Sequence, residues 1–168
     1  TLSHPEVRTY IRQEMAQAVL EKYGKPEVIA GVATGAIAQG VLVAQELGLP
    51  FVYVRASAKG HGRQNLIEGK VESGQSVVVI EDLISSGKSS LAAVDTLKDV
   101  GVNVKGMGAI FTYGFEAATQ NFKNADCELF TLGDYDSLIE QALATRYISK
   151  KDISLLKDWR KDPANWKK

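Results

Sequence analysis

Ser76-Val77-Val78-Val79-Ile80, running directly into Glu81-Asp82-Leu83-Ile84-Ser85-Ser86-Gly87-Lys88-Ser89-Ser90, is the stretch of the chain that decides its fold. Val77 to Ile80 are apolar and β-branched without alternation, so the run predicts a central strand buried on both faces rather than one with a wet side. Strands of that kind belong to parallel sheets that carry helices on both faces. Beyond the two acids, small hydroxyl residues around Gly87 lead into a helix with Leu91, Val94 and Leu97 at helical spacing, ended by Gly101.

Outward from this centre, strand and helix signals alternate. Upstream, Val28-Ile29-Ala30-Gly31-Val32 reads as a buried strand, Thr34-Gly35 as a turn, residues 36–47 as a helix closed by Gly48 and Pro50, and residues 51–55 as a second strand. Residues 56–66 combine glycines and charges without an apolar period and are expected to form a mobile loop; residues 67–71 form a short strand. Nearer the start, Ser3-His4-Pro5-Glu6 reads as a capping box for a helix carrying Val7, Ile11, Met15 and Val19, stopped at Gly24-Lys25-Pro26. Downstream come a strand at 104–111, a helix at 115–122, a strand at 127–132, a helix at 137–143, and a last helix capped by Ser149-Lys150-Lys151-Asp152 and carrying Ile153, Leu156 and Trp159. The expectation is one domain over residues 1–168: an α/β, doubly wound, mainly parallel sheet flanked by helices.

Composition narrows the function. Lys+Arg and Asp+Glu number 20 each, which gives no general attraction to nucleic acid or to an anionic membrane. A single cysteine, Cys127, rules out an intramolecular disulfide and a multi-cysteine metal cluster and fits a reducing compartment, so a cytoplasmic location is expected. The longest apolar runs are too short to span a bilayer, and no charged-then-apolar signal peptide opens the chain.

Ligands of open parallel sheets bind at the carboxyl ends of the strands, which points to residues 81–90. Ser85-Ser86-Gly87-Lys88-Ser89 offers backbone N–H groups, hydroxyls and a helix N-terminus, the elements of a phosphate cradle. Glu81 and Asp82 stand just before it, where carboxylates repel phosphate but accept hydroxyls or face developing positive charge. A 5-phosphorylated ribose has that layout. Gly87-Lys88-Ser89 imitates the end of a nucleoside-triphosphate P-loop, but the first glycine of that motif falls on Asp82, so the spacing rejects it. A plainer reading, a solvated strand end followed by a simple helix cap, stands beside the phosphate reading.

Val77 to Ser90 also resembles the phosphoribosyl pyrophosphate motif of type I phosphoribosyltransferases: four apolar residues, two acids, then a loop of small residues. The resemblance implies that Glu81 and Asp82 hold the ribose diol and that Leu83, Ile84, Ser85, Ser86, Gly87, Lys88 and Ser89 bind phosphoribosyl pyrophosphate. Residues 85–89 would hold its 5′-phosphate, and Ser85 would also reach orotate. Lys88 departs from the Gly or Thr usual in that family. Arg55-Ala56-Ser57-Ala58-Lys59-Gly60-His61-Gly62 resembles the K-x-H-G loop of orotate phosphoribosyltransferases, in which basic residues close over pyrophosphate, often in the neighbouring subunit's site. Arg55, Lys59 and His61 on a glycine-flexed loop supply the charge that a lid over a polyanionic leaving group needs; Ala56 stands where many relatives carry lysine. Ala33-Thr34-Gly35 resembles the family's pyrophosphate loop. In Phe111-Thr112-Tyr113-Gly114-Phe115, Tyr113 occupies the region where many relatives have an orotate-contacting arginine. Full-length members carry a further N-terminal hood, so the chain is expected to lack that segment.

What the resemblance implies for function is transfer of phosphoribose from phosphoribosyl pyrophosphate to orotate, with Lys59 as first catalytic residue beside Asp82 and Glu81. Mg2+ would be bound mainly through substrate, with no dedicated protein metal site, and the enzyme would be a homodimer whose lid reaches the neighbouring site. The alternatives are a purine or uracil phosphoribosyltransferase, and a non-catalytic, nucleotide-sensing RNA-binding regulator on the same fold; the balanced charge argues against nucleic acid.

Overall fold

The uniformly apolar run lies in the middle of the sheet, where both of its faces are covered. In this computed structural model, which describes residues 2–55 and 66–166, the strands are β1 (Val28–Val32), β2 (Phe51–Val54), β3 (Ile67–Glu68), β4 (Ser76–Ile84), β5 (Asn103–Thr112) and β6 (Leu129–Asp134). The helices are α1 (Pro5–Tyr23), α2 (Ile37–Leu47), α3 (Lys88–Asp99), α4 (Glu116–Asn124), α5 (Tyr135–Ala144) and α6 (Asp152–Lys161). The sheet order is β3-β2-β1-β4-β5-β6. Every pairing is parallel except that of β2 with β3, where Tyr53 faces Glu68 and Val54 faces Ile67.

Successive residues of β4 feed two cores. Val77 and Val79 pack with Leu91, Val94 and Leu97 of α3 and Phe122 of α4, whereas Val78 and Ile80 pack with Met15 and Val19 of α1 and Val43 of α2. Each such side chain, fully buried, contributes roughly 1.5–3 kcal/mol. The period-two geometry of a strand therefore turns one apolar run into the seam between two helical layers.

The elements follow the sequence reading, with shifted boundaries. β4 does not stop at Ile80 but continues through Ile84, because its backbone keeps pairing with β5 whatever the side chains: Glu81 is level with Ala109 and Leu83 with Phe111. β3 is shorter than residues 67–71, since the chain turns off the sheet at Gly69. The capping box at Ser3 is corrected. His4 is the N-cap, Pro5 occupies the first helical position, and Glu6 falls one residue short of where a box partner must stand; no side chain caps the helix. The cap at Ser149 is corrected likewise: the N-cap of α6 is Lys151, no side chain caps the helix, and Ser149 instead donates through its N–H and its Oγ to Asp152 Oδ2, each at 2.8 Å, closing the turn that precedes it. No helix among the described residues is long and apolar enough to cross a membrane.

The chain leaves β1 into α2 on one face of the sheet and leaves β4 into α3 on the other. β1 and β4 are neighbours, so the order reverses between them and a crevice opens at their carboxyl ends.

Candidate active site

Asp82 occupies that crevice. Its carboxylate lies against Gly35 of the β1–α2 loop so closely that a Cβ on Gly35 would overlap it. Thr34, Gly35 and Asp82 are all exposed, and the Ala33–Thr34 peptide is cis. The loop predicted for pyrophosphate and one predicted diol ligand, 47 positions apart in the chain, are thus brought together.

Glu81 has different surroundings. It is only 5% exposed; its Oε2 accepts from the Ser90 hydroxyl at 2.8 Å and its Oε1 from the Asp82 backbone N–H at 2.9 Å. Burial, reinforced by the neighbouring Asp82 carboxyl, pushes its pKa up to about 7. The two adjacent acids are therefore not an equivalent pair: Asp82 is open to a ligand, and Glu81 ties the strand end to α3.

Beyond Ile84 the chain turns through Ser85 and Ser86 into α3, whose N-cap is Gly87 at φ +76°. That conformation suits glycine, and a Cβ there would come within 2.5 Å of the Phe122 ring. No side chain caps the helix, so the N–H groups of its first turn, which lack intrahelical partners, are open to an anion. Asn121 Nδ2 donates to the Ser86 carbonyl at 2.9 Å and steadies the turn. Ser85, Lys88 and Ser89 are exposed here, with Ser86 half-buried. Leu83 is also exposed, but Ile84 is fully buried; its side chain belongs to the core, and its carbonyl accepts the Tyr113 N–H at 3.1 Å.

Arg55 follows β2 at the same end of the sheet, where its Nη1 donates to Glu68 Oε1 at 3.0 Å. Lys59 and His61, with the rest of the predicted lid, lie outside the described residues. Tyr113 forms part of a cluster that sequence reasoning missed. Its ring stacks on Phe115 at 5.3 Å and meets Phe111 and Trp159 edge-on, each at 5.5 Å, while Trp159 also packs on Tyr135 at 5.4 Å. The alternation of Phe111, Tyr113 and Phe115 was a usable signal for this cluster; nothing local announced Trp159.

Comparison with known proteins fits this geometry. The phosphoribosyl transferase domain family matches residues 2–129. The chain is 55% identical, over 99% of its length and 79% of the relative's, to orotate phosphoribosyltransferase of Porphyromonas gingivalis. The chain belongs to the orotate phosphoribosyltransferase family. A second member, from Cytophaga hutchinsonii, is 50% identical over 100% of this chain and 80% of its own. Among solved structures, the orotate phosphoribosyltransferase of Mycobacterium tuberculosis in complex with 5-phospho-alpha-D-ribosyl 1-diphosphate is 26% identical, with a TM-score of 0.68 over 80% of this chain and 77% of that one. The UMP synthase of Leishmania donovani, 21% identical, shares the fold with a TM-score of 0.81 over 95% of this chain and 34% of that one. Within the family, Asp82, the 33–35 loop and the N-terminus of α3 are the parts of this chain that meet at the switch point.

Proposed function

We infer that this chain transfers phosphoribose from phosphoribosyl pyrophosphate to orotate, giving orotidine 5′-monophosphate and pyrophosphate in de novo pyrimidine synthesis. The observation that carries the reading is the convergence of an exposed carboxylate, a small-residue loop and an uncapped helix N-terminus at one crevice of a chain in this family.

The chemistry follows from the layout. The first turn of α3 and the hydroxyls of residues 85–89 take the 5′-phosphate, and Asp82 takes the ribose hydroxyls as a charged acceptor. As the C1–O bond to pyrophosphate breaks, the ribose gains positive charge, which Asp82 stabilises from a fixed position. Glu81, held by Ser90, fixes the backbone of Asp82. Loop 33–35 faces the leaving group, and Lys59, Arg55 and His61 are assigned to pyrophosphate on sequence grounds. Ser85 is assigned to orotate on the same grounds.

Three further elements belong to this reading. Mg2+ is the expected cofactor. Asp82 is a hard oxygen donor suited to it, and because magnesium dehydrates reluctantly and pairs with phosphate oxygens, most of its coordination would come from substrate and water. When bound, the ion neutralises charge across pyrophosphate and ribose oxygens. A homodimer supplies a neighbouring site for the lid, and the cytoplasm is the compartment that the single cysteine favours.

The test is direct: protein, Mg2+, phosphoribosyl pyrophosphate and orotate are mixed and loss of orotate absorbance is followed, with adenine, hypoxanthine and uracil in parallel. Orotate-dependent turnover is expected. Turnover with another base alone would reassign the substrate, and absence of phosphoribosyl pyrophosphate binding by calorimetry would remove the reading altogether.

A further inference from the structure

Gln39, the third residue of α2, is 2% exposed, and neither its amide nitrogen nor its carbonyl oxygen has a hydrogen-bond partner among the described residues. Buried amides are almost always paired, because an unmade hydrogen bond forfeits the solvation given up on burial. The arrangement is therefore expensive for the fold alone and calls for an occupant that satisfies it.

The surroundings define that occupant. Gln39 lines a cavity of about 350 Å³ together with Leu2, Ser3, Gly35, Asp82 and Ile110. The lining contains one acid and no base, so it disfavours a phosphate. Asp82, when ionised, accepts hydrogen bonds only, whereas the Gln39 amide both donates and accepts. A hydroxyl group answers both: it donates to the carboxylate, accepts from the amide nitrogen, and can be one of a vicinal pair. Leu2 and Ile110 leave an apolar side suited to the carbon face of a sugar.

We propose that Gln39 is a donor-binding residue of this site, its buried amide engaging a ribose hydroxyl of the phosphoribosyl donor, directly or through one water, beside Asp82. The proposal rests on the phosphoribosyl-transfer reading and adds a contact from beneath the 33–35 loop. Gln39 joins the sugar to the start of α2, so occupancy of the ribose site steadies the loop on which Gly35 and Thr34 stand.

The test uses Gln39→Met, which keeps chain length and removes hydrogen bonding, with Gln39→Leu as a second apolar replacement. Calorimetry with phosphoribosyl pyrophosphate and Mg2+ is run on wild type and variants, alongside melting without ligand and steady-state kinetics. Donor binding is expected to weaken ~10-fold, the equivalent of about 1.4 kcal/mol. The loss should appear in the KM for the donor rather than in kcat or the KM for orotate, and the unliganded melting temperature should stay level or rise because an unsatisfied amide has gone. Unchanged donor affinity in a stable variant overturns the proposal. So does a deep fall in melting temperature in both variants, which would make the amide structural, or a loss confined to orotate. Wild type that binds no donor would overturn the transfer reading and this proposal with it, an outcome distinct from wild type and variant binding alike.

Discussion

The carboxylate of Asp82 and the backbone of Gly35 are in direct contact across the crevice between β4 and the β1–α2 loop, with no space for a methyl group between them. Gly35→Ala must displace one or the other. A misplacement of about 1 Å at a reacting centre can cost on the order of 10²-fold, so kcat/KM for the donor should fall by about that factor while far-UV circular dichroism stays that of the wild type. Full activity in Gly35→Ala would show that the contact is slack.

Asp82→Asn keeps the size and removes the charge. Hydrogen bonds to charged groups contribute roughly 1.5–3 kcal/mol, so affinity for phosphoribosyl pyrophosphate is expected to drop about 10- to 100-fold in calorimetry. If affinity holds, Asp82 is not a ribose ligand.

Glu81 makes stability depend on pH. Its folded pKa of about 7 lies above the ordinary 4.5, so the contribution of its protonated form is fully present below about pH 4.5 and is lost as pH rises through 7. Glu81→Gln stays neutral throughout. It should match wild type near pH 4.5 and exceed it at pH 8 by up to roughly 3 kcal/mol, read from urea midpoints at the two pH values. Parallel pH curves for the two proteins would contradict the assignment.

Lys59→Ala tests the lid on grounds of sequence. Loss of one charge-stabilising donor costs about 10²–10³-fold in kcat, and the melting temperature is expected to be unchanged. Wild-type turnover in this variant would take Lys59 out of the mechanism.

Trp159 holds α6 to the end of β5 through Tyr113, Phe115 and Tyr135. Aromatic pairs add about 0.5–1.5 kcal/mol each beyond burial, so Trp159→Ala should destabilise by about 2 kcal/mol, weaken the near-UV signal and raise amide exchange in α6 first. Exchange rising uniformly over the chain would mean that α6 is not held separately.

Much of this was legible in the sequence because it depends on local repetition. Val77 to Ile80 could only be a doubly covered strand, and the small residues after it lead, as expected, through a turn at Gly87 into a helix. What escaped depends on partners far along the chain. Backbone pairing with β5 extends β4 through two acids that a propensity argument places outside it. The inward turn of Glu81 requires Ser90 to be facing it across a loop. Gln39 reads as an ordinary polar helix residue until α2 is packed on the sheet, and Trp159 finds Tyr113 only once α6 folds back.

β4 is bonded to a strand on either side and carries Asp82 at its end. Partial opening of a protein starts where the packing is thinnest, and the edges of this sheet are β3 and β6, so the crevice sits on a strand paired along both sides. Selection for the reaction is then also selection for the integrity of the sheet's centre: a substitution that weakens β4 is expected to disturb the position of Asp82 along with the packing of both helical layers.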